Sequence, residues 1–335
     1  MRKRTKSFIG YSILFLVLLL GFFFLHVSTG FTYFSHSQLL AVLLGHGTAE
    51  ENLIVFDFRL VRAILAVLIG MGLAVSGVLF QQITRNELAG PGLLGVNAGA
   101  GLAVMVLIYA LPNNQGLPIW ILPLVAIAGA LLASGSIYGL SLHHGKSEGN
   151  YALVLSGITL TAGIHAVQLL FVVSLSSEQF HQVNAWLIGS ISGTSWAHVN
   201  VLLVVLIILF FLVYAKRTTL NVLALRDETA IGLGVAINKS RLLFLTIGVV
   251  LAATCVAVGG SIGFIGLVAP HIARRLVGAD CTYVLPLAAL IGGWLLVTAD
   301  WIGRVVIAPG EMLVGIVVAL VGAPYFLFIL GRKQR

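Results

Sequence analysis

Polar side chains are scarce in this chain, and the few present fall into groups with distinct chemical possibilities. Arg59, Arg62 and Arg304 are strong ion-pairing groups, and Asp57, Asp300 and Glu311 are carboxylates that could answer them. Arg59 and Arg62 are three apart and so share a face if they lie on a helix. His165 and Gln168 have the same spacing, and could hydrogen-bond to a neighbouring helix or line a path. Between Lys216 and Arg241 runs a polar island, within which Leu225–Val235 reads as a short amphipathic helix. There Asp227 and Glu228, after Arg226, favour the positive N-terminal end; Leu225, Ala230 and Leu233 can share one face; Gly232 and Gly234 end the turn. Such a segment can hold a soluble partner. The run H-H-G-K-S at His143–Ser147 has the end of a phosphate-binding loop, but position 140, where its first glycine is needed, is leucine. No nucleotide site is expected.

The elements that must carry these groups are membrane helices. The chain has 335 residues, 59% hydrophobic and 9% charged, against about 25% charged in soluble domains. Its apolar runs are continuous rather than alternating, which excludes a barrel and leaves an all-α polytopic membrane protein. Ten spans are expected: Phe8–His26, Leu60–Gln81, Pro91–Leu111, Pro118–Leu142, Tyr151–Ser174, Ala197–Ala215, Leu242–Val258, Ser261–Val277, Val284–Gly303 and Met312–Leu330. Most have about the 20 residues needed to cross a hydrocarbon core. The eighth has only twelve residues, Ile262 to Ala273, before Arg274-Arg275, so the Gly259-Gly260 turn must be covered by protein or a water-filled cavity.

Charge sets the orientation. With both termini cytoplasmic, 16 of the 19 Lys and Arg fall inside, leaving Arg59, Arg62 and Arg304 outside, while the 11 acidic residues split 5 and 6. The net charge of +8 therefore reflects orientation and not a nucleic-acid partner. The basic N-terminus resembles a signal peptide but lacks a convincing cleavage site, so it reads as an uncleaved first helix. Arg85 and Asn86 are expected to order the turn between the second and third spans, and Pro91 to open the third helix. Gly95/Gly99 and Gly135/Gly139 are small-residue pairs suited to close helix approach. Cys255 and Cys281, near different faces, predict neither a disulfide nor a metal site. His26, His36, His46, His181 and His198 map toward the outer side. No cofactor is expected. Residues 1–335 read as one transmembrane domain, with 216–241 as its cytoplasmic loop.

Several stretches in order, Phe56–Gly101, the island, Gly259–Asp280, Asp300 and Glu311–Phe326, resemble the permease family of ABC importers for ferric siderophores, haem and cobalamin. The resemblance covers nearly the whole chain. It departs at Val61, where a proline usually separates the two arginines, at Glu87, and at Met312-Leu313. It implies a two-permease core, the second subunit identical or paralogous, carrying a pair of cytosolic ABC ATPases and loaded by an extracytoplasmic binding protein in a bacterial inner membrane. By the same resemblance, Arg59, Arg62 and Arg304 would meet acidic residues of the binding protein. The island, through Arg226, Asp227, Glu228, Ala230, Gly232, Leu233 and Gly234, would seat the ATPase. His165 and Gln168 on the fifth span would border the path. The expected activity is transport, with ATP hydrolysed by the partner and a ferric siderophore as cargo; cobalamin and haem are the alternatives within the family. An ion-coupled secondary transporter would want carboxylates near the midplane, whereas all 11 here map to ends or loops. An intramembrane enzyme would need paired catalytic groups at depth, and none is seen beyond His165.

Overall fold

The computed structural model describes residues 2–30, 34–111, 118, 120–143, 149–307 and 310–333. His144–Ser147 of the H-H-G-K-S run, including Lys146, and the terminal Arg335 lie outside the described residues. Among the described residues there is no strand.

Helix α1 (Arg2–Ser28) is followed by two short helices, α2 (His36–Leu43) and α3 (Ala49–Asn52). Each short helix starts at a reciprocal cap, Ser35 with Gln38 and Thr48 with Glu51, which satisfies two orphan amides apiece. A π-helical stretch, Leu53–Leu60, then runs into α4 (Val61–Thr84). A 3-10 turn at Pro91–Leu94 precedes α5 (Val96–Ala110), followed by α6 (Ile121–His143), α7 (Gly149–Val172) and α8 (Ser177–Ile188). Helices α9 (Trp196–Ala215), α10 (Arg217–Leu223), α11 (Asp227–Gly232) and α12 (Ile237–Gly259) come next. The chain closes with α13 (Ile265–Val277), α14 (Cys281–Val305) and α15 (Val314–Lys333).

Every expected span meets a helix, with shifted boundaries. The second helical run starts at Ala49 instead of Leu60, because the π-helical stretch continues it. Pro91 opens the 3-10 turn and not the third helix itself, which begins at Val96 after Gly95 in a left-handed conformation. Among the described residues, seven helices are long and apolar enough to cross a membrane by length and composition; Val96–Ala110 and Val314–Leu327 are shorter apolar helices, and the expected eighth span falls on α13, of 13 residues. The eighth span starts at Ile265, not Ser261, and its entry turn is covered by protein. The Ser261 amide donates to the Trp186 carbonyl at 3.1 Å, and a Cβ on Gly260 would meet that same carbonyl.

The centre of the bundle is α4 packed on α12, α13 and α14, while α1 and α9 present mostly exposed apolar faces, as lipid-facing helices must. Glycines set the closest approaches. A Cβ on Gly70 or Gly77 of α4 would collide with the carbonyls of Gly292 on α14 and Gly266 on α13. Of the pairs expected from spacing, Gly99 does pack on Gly129 of α6, whereas Gly135 and Gly139 have no atom near an added Cβ. Spacing alone cannot say which side of a helix meets a neighbour.

One end of the bundle, the basic end, holds Arg4, α10, α11, Arg85 and Arg274. There Asp280 caps α14 by accepting from the Thr282 amide at 2.9 Å, and Asn221 of α10 bonds both Asp280 and the Cys281 amide at 2.8 Å. Burial pushes the Asp280 carboxyl up, but these donors win and hold it below the ordinary carboxylate value.

Candidate functional sites at the two ends of the bundle

At the end opposite α11, the three expected arginines converge. Arg62 grips Asp300 with two bonds, Nε to Oδ2 at 2.8 Å and Nη2 to Oδ1 at 3.0 Å, and reaches Glu311 through Nη1 at 2.6 Å. His26 of α1 donates from Nε2 to Asp300 Oδ2 at 2.7 Å. Arg304 lies 3.8 Å from Glu311 and donates to the carbonyls of His26 and Thr29 at 3.3 Å. Arg59 bonds the Val27 and Ser28 carbonyls at 3.1 and 3.3 Å, with its guanidinium 4.9 Å from the Phe34 ring centroid. The cluster therefore ties α1, the π-helical stretch, α4 and α14 together.

Of the carboxylates that could answer the arginines, Asp300 and Glu311 do so. Arg59 is only 4% exposed and Asp300 only 1%, so both are internal; Glu311, with 48% of its side chain exposed, is the open member. Arg59 is spent on the backbone carbonyls that end α1. Arg59 and Arg62 lie three apart, yet they turn to different partners because the π-helical stretch ends between them and changes the register. His26 is the member whose role was not evident, since a lone histidine near a helix end carries no spacing signal.

At the basic end, α11 is held out between α10 and α12. Asp227 pairs with Arg85 at 2.5 Å and Arg241 at 2.9 Å, so its carboxylate fastens the tip to α4 and α12 and does not cap its own helix. Arg85, left-handed at φ 52°, also bonds the Leu223 carbonyl at 3.1 Å, and Asn86 Oδ1 accepts from the Leu88 amide at 2.9 Å. Ala230 is fully buried, whereas Leu225, Ile231 and Leu233 are exposed, the last two by 64% and 61%. The expected shared face of Leu225, Ala230 and Leu233 is thus split. Ala230 seats the tip, and two large apolar side chains are offered outward. Gly234 has φ +80°; Gly232 has no such requirement and open space around it.

On α7, His165 Nδ1 lies 2.8 Å from Gln168 Oε1, and Gln168 Nε2 donates to the Ala98 carbonyl at 3.2 Å. Gln168 is buried against α5 and His165 is exposed. A groove of about 620 Å³ runs between the turn that enters α13 and the first half of α15, lined by Phe264, Gly315, Ile316, Ala319, Leu320 and Ala323 among others, with Ser261 on its polar side.

This chain matches the model of the FecCD transport family over residues 17–332. The chain belongs to that family. It is 39% identical to the iron(3+)-hydroxamate import system permease protein FhuG of Bacillus subtilis (strain 168), covering 99% of each chain. It is 40% identical to the Fe(3+)-citrate import system permease protein YfmE of the same organism, over 99% of this chain and 98% of that one. Its fold matches a solved metal-chelate type ABC transporter in an inward-facing conformation, with TM-score 0.83, 28% identity and coverage of 98% and 99%. As a FecCD permease, the chain is a multi-pass protein of the bacterial inner membrane and a transport subunit, not itself an enzyme. In this FecCD chain the departure at Glu87 places a carboxylate 4.0 Å from His271 of α13, which links the turn after α4 to the short helix.

Proposed function

We propose that this FecCD chain is the permease subunit of an ABC importer whose cargo is a ferric siderophore, with residues 1–335 acting as one permease domain. The observation that carries the cargo assignment is the groove between the turn entering α13 and the first half of α15. Among the described residues, its wall of Gly, Ala, Pro, Ile, Leu and Phe with one Ser offers no charge or metal ligand, which suits passage of an intact chelate. Two such walls, facing each other in a dimer with an identical or paralogous permease, would enclose the path, and His165, exposed on α7, would lie beside it. The relatives named for ferric hydroxamate and ferric citrate support the same class. In a strain lacking this chain, loss of ferric-hydroxamate uptake with haem and cobalamin uptake intact is the expected result. Loss of haem or cobalamin uptake alone would transfer the assignment to that cargo.

The basic end faces the cytoplasm in this proposal, which obeys the inside bias of Lys and Arg. There the 216–241 loop seats one of a pair of ABC ATPases. The opposite end receives an extracytoplasmic binding protein, whose carboxylates compete with Glu311 for Arg62 and Arg304, while Arg59 supports the site from beneath. Changing Arg304 to Gln should weaken binding-protein association by about 0.2–1 kcal/mol, the worth of an exposed pair. The loss should appear in the association rate at low salt and shrink at high salt. Association unchanged at both salts would remove Arg304 from the docking surface.

A further inference from the structure

A second cavity, of about 470 Å³, lies at the end opposite α11, on a different face of α8 from the groove. Leu107 near the end of α5, Leu122 and Pro123 at the start of α6, and Val258 at the end of α12 give it an apolar wall. Its polar side is made by Gln182, Ser192, Thr194 and His198. This combination, a cavity within the usual range of about 300–1,000 Å³ with apolar walls and a few polar groups on one side, is that of a small-molecule site.

The donors can be assigned. The Ser195 backbone amide donates to His198 Nδ1 at 3.2 Å, and the Ser195 hydroxyl lies 3.0 Å from the same nitrogen. An amide N–H can only donate, so Nδ1 accepts and the neutral ring carries its proton on Nε2. The Ser190 hydroxyl donates to Ser192 Oγ at 3.1 Å, which leaves the Ser192 proton to donate elsewhere. Thr194 spends its proton on the Ile191 carbonyl at 3.0 Å. The polar side thus presents His198 Nε2–H and Ser192 Oγ–H, beside the Gln182 amide, as donors suited to oxygen acceptors such as those of a phosphodiester.

Two further observations place the ligand in the membrane. Trp120, 59% exposed, and Trp196, 38% exposed, stand immediately before α6 and at the first position of α9, beside the cavity-lining segments on each side. Exposed tryptophans at helix ends mark headgroup depth. From His198 the exposed residues Val201, Val204 and Ile208 run down α9 toward the bilayer centre, a continuous apolar track for acyl chains.

We infer that this cavity is a site for one glycerophospholipid of the adjoining leaflet, its phosphate held by His198 and Ser192 and its chains laid along α9. The lipid braces α8 against α12 from the side away from Ile188, which lines the groove. The site does not depend on the identity of the cargo. The test uses the full-length permease in nanodiscs doped with phosphatidylglycerol bearing a photoactivatable group beside its phosphate. Crosslinks are expected in the peptide spanning residues 182–198. H198F should reduce them about fivefold, the worth of one hydrogen bond, and V258W, which fills the cavity, should abolish them. H198Q, which keeps a donor near the Nε2 position, should retain most of the labelling. L170W, on an exposed face of α7, should leave it unchanged, and only monodisperse protein is scored. Labelling equal in all four variants would mean ordinary annular contact and overturn the site. Competition by soluble glycerophosphate would overturn the lipid assignment.

Discussion

Replacing Asp300 with alanine is expected to destabilise the folded permease by about 3–5 kcal/mol, the range for breaking a buried ion pair by removing one partner. Asp300 is 1% exposed and accepts three bonds, one from His26 and two from Arg62. Its loss strands part of the Arg62 guanidinium, which keeps only Glu311, and leaves the buried His26 ring facing a gap. Helix α1 then loses one of its polar ties to α14. The double variant Asp300→Leu with Arg62→Met should recover most of that loss, because well-packed apolar groups often replace a buried pair at little cost. Unfolding in a detergent titration, run as a double-mutant cycle, reads both numbers. A loss below about 1 kcal/mol for Asp300→Ala, the scale of an exposed pair, would show that the cluster is solvated and not a clamp.

The second large effect is expected at the tip. Ile231 and Leu233 are the two most exposed of the three large apolar side chains, with Leu225, that the segment proposed to seat the ATPase leaves open. Burying one such side chain is worth about 1.5–3 kcal/mol, so Ile231→Asp with Leu233→Asp should weaken ATPase recruitment by more than about tenfold. The Asp227 pairs with Arg85 and Arg241 are untouched by this change, so the tip keeps its place. Gly234→Val is expected to uncouple transport by another route. Its φ of +80° disfavours a branched side chain by about 1–2 kcal/mol, which distorts the exit from α11 while the chain still inserts. Gly232→Val lacks that strain and should be tolerated. Copurification of the ATPase and uptake, measured together, check this. Equal loss in both glycine variants would mean that bulk, and not backbone conformation, decides.

Much of this architecture was legible in the residues. Continuous apolar runs located a helix for each expected span, seven of them long and apolar enough to cross a membrane, since burial in lipid leaves few alternatives. The short helices α2, α3, α8 and α10 were not anticipated. They lie outside long apolar runs, and the caps at Ser35, Thr48 and Ser176 are local signals easily lost beside hydropathy. Arg59, Arg62 and Arg304 drew attention by breaking the charge bias, and the structure does gather them at one end. Asp300 and Glu311 were legible as possible partners, but not which arginine each would meet, nor that Arg304 would reach His26 across 278 residues and Arg59 the carbonyls at the end of α1. The tip was recognisable as an amphipathic turn, but which apolar residues faced outward depended on Asp227 being drawn to Arg85, a partner on another helix.

Under the proposed function, ATP hydrolysis by a partner bound at the 216–241 loop drives a ferric chelate through this chain. Accumulation of radioiron-labelled ferric hydroxamate in proteoliposomes, with the binding protein on one side and the ATPase on the other, tests it most directly. Accumulation should require ATP, be abolished by Ile231→Asp with Leu233→Asp, and not respond to a proton or sodium gradient. Accumulation driven by an ion gradient without ATP, or ATP-driven accumulation indifferent to the tip, would contradict it.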